Sequence, residues 1–154
     1  MGKILQPHLL KITIDGLKAE GKKIVFTNGC FDIIHIGHIR YLRGAKRLGD
    51  VLVVALNSDS SVSAIKPGRP IIPEVQRAEV VSSLEMVDYV TFFSEDTPYN
   101  LIKMLCPDVL VKGGDWRPED IVGHDLVREV YSLPYVEGVS TTGIIERISA
   151  ARYS

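Results

Sequence analysis

Several features are scarce in this chain, and each scarcity excludes something. Only two cysteines occur in 154 residues, Cys30 and Cys106. They supply neither a disulfide framework nor a metal-ligand spacing, and they fit a reducing cytosol. Neither charge is in excess, with 18 Lys and Arg against 19 Asp and Glu. No basic field therefore invites nucleic acid, and any anion site must be local. No apolar run reaches the ~18 residues needed to span a membrane, and no leader pattern opens the chain. Repeats, low-complexity segments and linkers are also missing. The expectation is one soluble, cytoplasmic domain over residues 1–154, with an N-terminal helix at about 7–20 and a core at about 23–150. Hydrophobic residues at 45% and charged residues at 24% are ordinary globular values.

The apolar pattern alternates between two periods. Leu9, Leu10, Ile14 and Leu17 recur at helical spacing before Gly21, which predicts a helix over 7–20. Strands are then predicted at 23–28, 51–56, 89–93 and 109–112, and helices at 37–48, 74–84 and 98–105. A further helical run (Ile144, Ile145, Ile148) closes the chain. Val51 to Leu56 is apolar at every position, so both faces of that strand must be covered. Short turns between alternating β and α elements predict a doubly wound, Rossmann-like parallel sheet with helices on both faces. In such sheets ligands bind beyond the carboxyl ends of the strands.

Chemistry-bearing residues collect at that rim. Residues 28 to 38 read Asn-Gly-Cys-Phe-Asp-Ile-Ile-His-Ile-Gly-His, placing His35 and His38 where a strand ends and a helix begins. A helix start carries unpaired N–H groups and positive partial charge, which suits phosphate. At a spacing of three the rings share one side of the first turn, and Gly37 lets an anion approach the backbone. Asn57-Ser58-Asp59 follows the next strand, a loop with Lys66 and Arg69 leads to a helix carrying Arg77, and Lys112 to Trp116 follows the fourth strand. Ser140, Thr141 and Thr142 precede the last helix as a second anion seat with hydroxyl donors. Asp32 reads as a turn residue accepting backbone N–H bonds, and Cys30 as a packing residue with no base to activate it. His8 and His124 read as surface residues.

These segments resemble the nucleotidyltransferases related to cytidylyltransferases, and most closely the heptose 1-phosphate adenylyltransferase branch of lipopolysaccharide-precursor synthesis. The matching stretches are Phe26 to Asp32, His35-Ile36-Gly37-His38, Asn57-Ser58-Asp59, Arg69-Pro70, Arg77, Glu95 to Pro98, Pro107 to Asp115 and Glu137 to Ile148. The resemblance implies the HIGH-type architecture, a stand-alone form without a sugar kinase, and a possible homodimer. It also implies transfer of AMP from ATP to D-glycero-β-D-manno-heptose 1-phosphate, with Mg²⁺ carried on the nucleotide phosphates. That branch leads one to expect a longer helix and a Gly-Gly turn between Val127 and Tyr135, which this chain does not have.

On this basis His35, His38, Lys66 and Arg77 are the candidate catalytic residues. The histidines would donate to phosphate oxygens, and Lys66 and Arg77 would hold the β and γ phosphates. Asn28, Gly29, Cys30, Phe31, Gly37, Asn57, Asp59, Ser140, Thr141 and Thr142 are the nucleotide-binding candidates, Asp59 for a ribose or a Mg²⁺-bound water. Lys112, Gly113, Asp115 and Trp116 are the acceptor candidates, with Trp116 offering an aromatic face to a sugar. Two rivals stay open: a CTP-dependent cytidylyltransferase acting on glycerol 3-phosphate or another polyol phosphate, and a non-catalytic nucleotide-binding module. A class I aminoacyl-tRNA synthetase shares the histidine motif, but this chain has neither the length nor the Lys-Met-Ser-Lys-Ser loop.

Overall fold

A computed structural model describes residues 1–153. Its centre is a sheet of six strands. These are β1 (Lys3–Ile4), β2 (Ile24–Gly29), β3 (Val51–Asn57), β4 (Tyr89–Phe93), β5 (Val109–Gly113) and β6 (Glu129–Leu133). Of these, β2, β3 and β5 open on consecutive apolar residues. All seven residues of β3 are buried, which requires cover on both faces. The strands form one sheet in the order β1-β4-β3-β2-β5-β6, and every neighbouring pair is parallel.

Alternate side chains feed two core layers. Val25, Leu52, Val54, Val109 and Val111 pack with Leu42 and Ala45 of α2 (Ile36–Lys46) and with Ala78 and Val81 of α4 (Glu74–Ser82). Ile24, Phe26, Val53, Ala55 and Leu110 pack with Leu10 and Ile14 of α1 (Pro7–Ala19) and with Leu101, Ile102 and Leu105 of α5 (Tyr99–Leu105). Each fully buried Leu or Ile contributes about 1.5–3 kcal/mol, so the two layers carry the fold. Because the strands run the same way, Gly29, Asn57, Phe93, Gly113 and Leu133 all end at one rim. Among the described residues no helix is long and apolar enough to cross a membrane.

Three elements depart from the sequence expectation. A two-residue edge strand, β1, precedes the first helix and pairs with β4. The stretch after Asn57, where no helix is predicted, is the helix α3 (Asp59–Ile65), capped by the Ser58 side chain accepting from the Ser61 N–H. The segment between Val127 and Tyr135 holds β6 itself, paired with β5 from Glu129 to Leu133. A 3₁₀ turn at His124–Leu126 leads into it, in place of the longer helix and Gly-Gly turn.

One core position carries an uncompensated hydroxyl. Thr91 Oγ1, on β4, is buried without a hydrogen-bond partner among the described residues. An unmatched buried polar group costs about 1–3 kcal/mol, and valine has the same shape without it. Thr91→Val should therefore raise stability by about 1 kcal/mol. A urea midpoint unchanged or lower than the parent's would count against that account.

Candidate active site

The first rim loop is organised by the two histidines. His35 is the N-cap of α2, and its Nδ1 accepts the Gly37 N–H at 3.1 Å. His38 reaches back so that its Nδ1 accepts the His35 N–H at 3.2 Å. An imidazole nitrogen that accepts carries no proton, so the proton of each neutral ring sits on Nε2. The rings lie against each other with centroids 3.9 Å apart and planes inclined at 31°. Both Nε2 atoms are thus left as donors.

Electrostatics keep the pair neutral. Burial, then the neighbouring His35 and the positive charge of Lys66, push His38 down to about 4. Burial also lowers His35. Above pH 6.5 the His38 ring is neutral in folded and unfolded chains alike. Between 6.5 and 4 the unfolded ring takes up a proton that the native ring declines, so native stability falls with pH across that window. Thermal midpoints should drop as pH falls from 6.5 toward 4, and less so in a His38 variant without a titrating group. Equal slopes in the two proteins would exclude the effect.

Gly37 is needed for space. A Cβ there would lie 2.8 Å from His35 Cε1 and 2.9 Å from its Nδ1. Gly37→Ala should push the ring aside and cut turnover by tenfold or more, since misplacing an active-site group by about 1 Å can cost on the order of 10². Stability should change by less than about 1 kcal/mol, because alanine's helix propensity offsets the disturbed cap. Parental turnover would refute the steric argument.

A cavity of about 660 Å³ opens over the rim, within the range usual for small-molecule sites. The structure brings most of the candidates into it. Asn28, Gly29, Cys30, Phe31, His35, Gly37, His38, Asn57, Lys66, Lys112, Gly113, Ser140, Thr141 and Thr142 all line it. The helix α6 (Thr141–Ala151) starts at this wall, with the Ser140 side chain accepting from the Gly143 N–H. Thr141 Oγ1 donates to the Ile33 carbonyl at 3.3 Å and ties the two helix starts together. None of the side chains of α6 is fully buried. Lys112 is half-buried, burial lowers its pKa, and its Nζ sits 5.7 Å from the Trp116 ring centroid.

Four candidates lie elsewhere. Arg77 is 1% exposed and does not line the cavity. Its Nε donates to the Ile72 carbonyl (2.9 Å), Nη1 to the Cys30 carbonyl (2.6 Å) and Nη2 to Asp59 Oδ1 (2.8 Å). Buried away from the cavity lining, its guanidinium is turned to the Cys30, Ile72 and Asp59 segments, which it joins, and not to the space where the β and γ phosphates were expected. Asp59 does not line the cavity either; its Oδ1 also accepts the Glu74 N–H. Asp115 lines a small adjoining recess with Gly114, Ser132, Pro134 and Tyr135. Trp116 is 45% exposed beside it, its indole donating to the Gly113 carbonyl.

Asp32 accepts backbone N–H bonds as expected, but from a distant loop, and other residues of the site are not singled out by the sequence. Asp32 accepts from the Ile71 and Ile72 N–H groups and from Arg69 Nε. Burial alone would raise that carboxyl, but these donors outweigh it and hold it below the usual range. Asp32 thus clamps the Lys66 loop to the histidine loop, a longer reach than a turn residue needs. Tyr41, a helix residue without a motif around it, lines the floor. Its hydroxyl pairs with Thr27 Oγ1 (2.5 Å) and donates to the Val111 carbonyl. Asp96, Thr97 and Tyr135 complete the walls; the stretch Glu95 to Pro98 matches the family without a role assigned to it.

A six-stranded parallel sheet with a histidine-capped helix and a hydroxyl-capped helix at one rim is the arrangement of a HIGH-type nucleotidyltransferase. The chain belongs to the cytidylyltransferase-like family, whose model matches residues 26–147. It is 57% identical over 133 residues to the bifunctional protein HldE of Nitratiruptor sp., covering 86% of this chain and 29% of that protein. It is 58% identical over 132 residues to that of Campylobacter concisus, covering 85% of this chain and 28% of the relative. The chain therefore spans less than a third of the length of these curated relatives. Among solved structures, a lipopolysaccharide core biosynthesis protein from Thermoplasma volcanium superposes with a TM-score of 0.64 at 30% identity, covering 76% of this chain and all of that one. A pantoate-beta-alanine ligase from Francisella tularensis, complexed with beta-gamma ATP and beta-alanine, shares the fold at 14% identity and a TM-score of 0.61, covering 99% and 78%.

Proposed function

We propose that this domain transfers AMP from ATP to D-glycero-β-D-manno-heptose 1-phosphate, releasing pyrophosphate and forming ADP-heptose. The observation that carries the reading is the pair of Nε2–H imidazoles at the start of α2, facing a cavity that also holds Lys66, Lys112 and the start of α6. The identity to the HldE proteins supports the choice of acceptor.

The acceptor phosphate is already an anion at neutral pH, so attack on the α-phosphorus needs no strong base. Its oxygen forms the new P–O bond, the bond between the α-phosphorus and the β-bridging oxygen breaks, and pyrophosphate leaves with that electron pair. What remains for the protein is alignment and charge stabilisation. His35 and His38 donate to the α-phosphate, Lys66 steadies the leaving pyrophosphate, and the N–H and hydroxyl groups of Ser140–Thr142 hold the nucleotide. Lys112 and Gly113 receive the acceptor's phosphate end. Mg²⁺ enters as part of the substrate, bound to the triphosphate. Among the described residues no group of three or more His, Cys, Asp or Glu is placed to hold a metal, and Mg²⁺ commonly binds through substrate phosphates. A cytoplasmic location and a homodimer complete the proposal, the latter to be read from light scattering.

The family's name keeps CTP-dependent transfer to a polyol phosphate as the second reading. Pyrophosphate release with ATP or CTP, crossed with heptose 1-phosphate or glycerol 3-phosphate, separates them. ATP with heptose 1-phosphate should be fastest. Preference for CTP with glycerol 3-phosphate would reject the first reading, and nucleotide binding without release from any pair would reject both.

A further inference from the structure

We infer that Phe31 is a positioning residue for His38, holding the imidazole in place from a strained backbone that a neighbouring loop and the helix α4 enforce. Phe31 has φ 47°, the left-handed region that a bulky side chain rarely adopts. Such conformations persist where the surroundings over-determine them. Here the residues on either side of Phe31 are pinned. The Cys30 carbonyl accepts from Arg77 Nη1 at 2.6 Å, and the Asp32 carboxylate is fixed by the Ile71 and Ile72 N–H groups and by Arg69.

The ring that this backbone projects is 6% exposed. Its centroid lies 5.2 Å from that of His38, inclined at 49°. Gly29 makes room for it, since a Cβ there would meet Phe31 Cε2 at 2.9 Å. His38 therefore has the phenyl ring against it as well as the His35 ring, 3.9 Å away, while its Nδ1 is held by the His35 N–H. Each contact removes a direction in which the imidazole could turn, and Nε2 stays aimed. The charged or titratable groups that face this imidazole are His35 and Lys66; the phenyl ring adds an apolar wall that excludes water.

Phe31 also packs into the core layer beneath α2, so the test must separate positioning from packing. It rests on the proposed transfer only for its kinetic arm. Phe31→Leu keeps an apolar group of similar size but removes the flat ring. Gly29→Ala keeps the ring and crowds it. In both, imidazole NMR of the full chain without substrate should show His38 losing its single Nε2–H tautomer and titrating nearer 6.5 than the parent. The kcat for pyrophosphate release should fall by about tenfold or more in Phe31→Leu, as expected for a misaimed donor. If Phe31→Leu fails to fold, the spectrum of Gly29→Ala decides. Parental His38 resonances in the folded variants, or parental kcat in Phe31→Leu, would leave Phe31 a core residue and overturn the assignment. If the parent releases no pyrophosphate from any nucleotide and acceptor pair, the functional reading fails and the spectra alone decide the matter of Phe31.

Discussion

His38→Asn should fold as the parent does and lose turnover by about 10²–10³. The two nitrogens of this ring do different work, and the substitution separates them. The asparagine side-chain oxygen can occupy the place of Nδ1 and accept the His35 N–H, preserving the start of α2. It offers nothing where Nε2 was, so the donor to the reacting phosphate is lost. His38→Gln is the converse, since its amide nitrogen reaches the Nε2 position while the cap bond is given up. It should retain more activity than Asn and lose about 1 kcal/mol of stability with the cap. Steady-state pyrophosphate release and urea denaturation of both proteins test this. Equal turnover in the two variants would show that aim from Nε2 is not what the ring provides.

Arg77→Met should cost about 2–4 kcal/mol of stability, since a buried carbonyl left without its donor costs about 1–3 kcal/mol. The Cys30 and Ile72 carbonyls would lose their donor, and those are the groups with least access to water. Asp59, whose side chain is 44% exposed, can be rehydrated and adds less. The loss should be read as a lower urea midpoint, with the KM for ATP moving only as far as the rim loops loosen. A variant with parental stability and a raised KM would restore Arg77 to the nucleotide phosphates. Arg77→Lys keeps the charge without the planar fork and should fall between.

Much of the fold could be read from the chain because β2, β3 and β5 are apolar at consecutive positions and their helices are punctuated by Gly49-Asp50 and Pro107-Asp108. These turn aspartates also act across the sheet: Asp50 accepts from the Lys23 N–H and Asp108 from the Ile24 N–H. The elements that escaped were short or polar. α3 reads Asp-Ser-Ser-Val-Ser-Ala-Ile, poor helix formers that owe their conformation to the Ser58 cap and to Ser61 and Val62 packing inward. β6 lies at the sheet edge with no fully buried residue, so its hydrophobic pattern is weak. Arg77 was expected at the phosphates because a cation near the rim suggests an anion, whereas the structure buries it away from the cavity. Its spacing argued for that burial, since Arg77 and Val81 stand four apart beside Ala78 and Ser82, all on the buried stripe of α4. The histidines were legible for the opposite reason, as a helix-start motif is a local property that needs no tertiary knowledge.

The shallow seating of α6 carries a thermodynamic cost for the ligand. In the proposed reading, one of the two phosphate-gripping helix starts belongs to an element with no fully buried side chain, its first turn tied to the histidine loop by the bond from Thr141 to Ile33. Segments with so little burial open at low free energy, so part of the affinity for nucleotide must go into quieting that helix. Amide hydrogen exchange along α6 should be among the fastest in the empty protein and should slow most when the triphosphate arrives, which makes the last helix a reporter of occupancy.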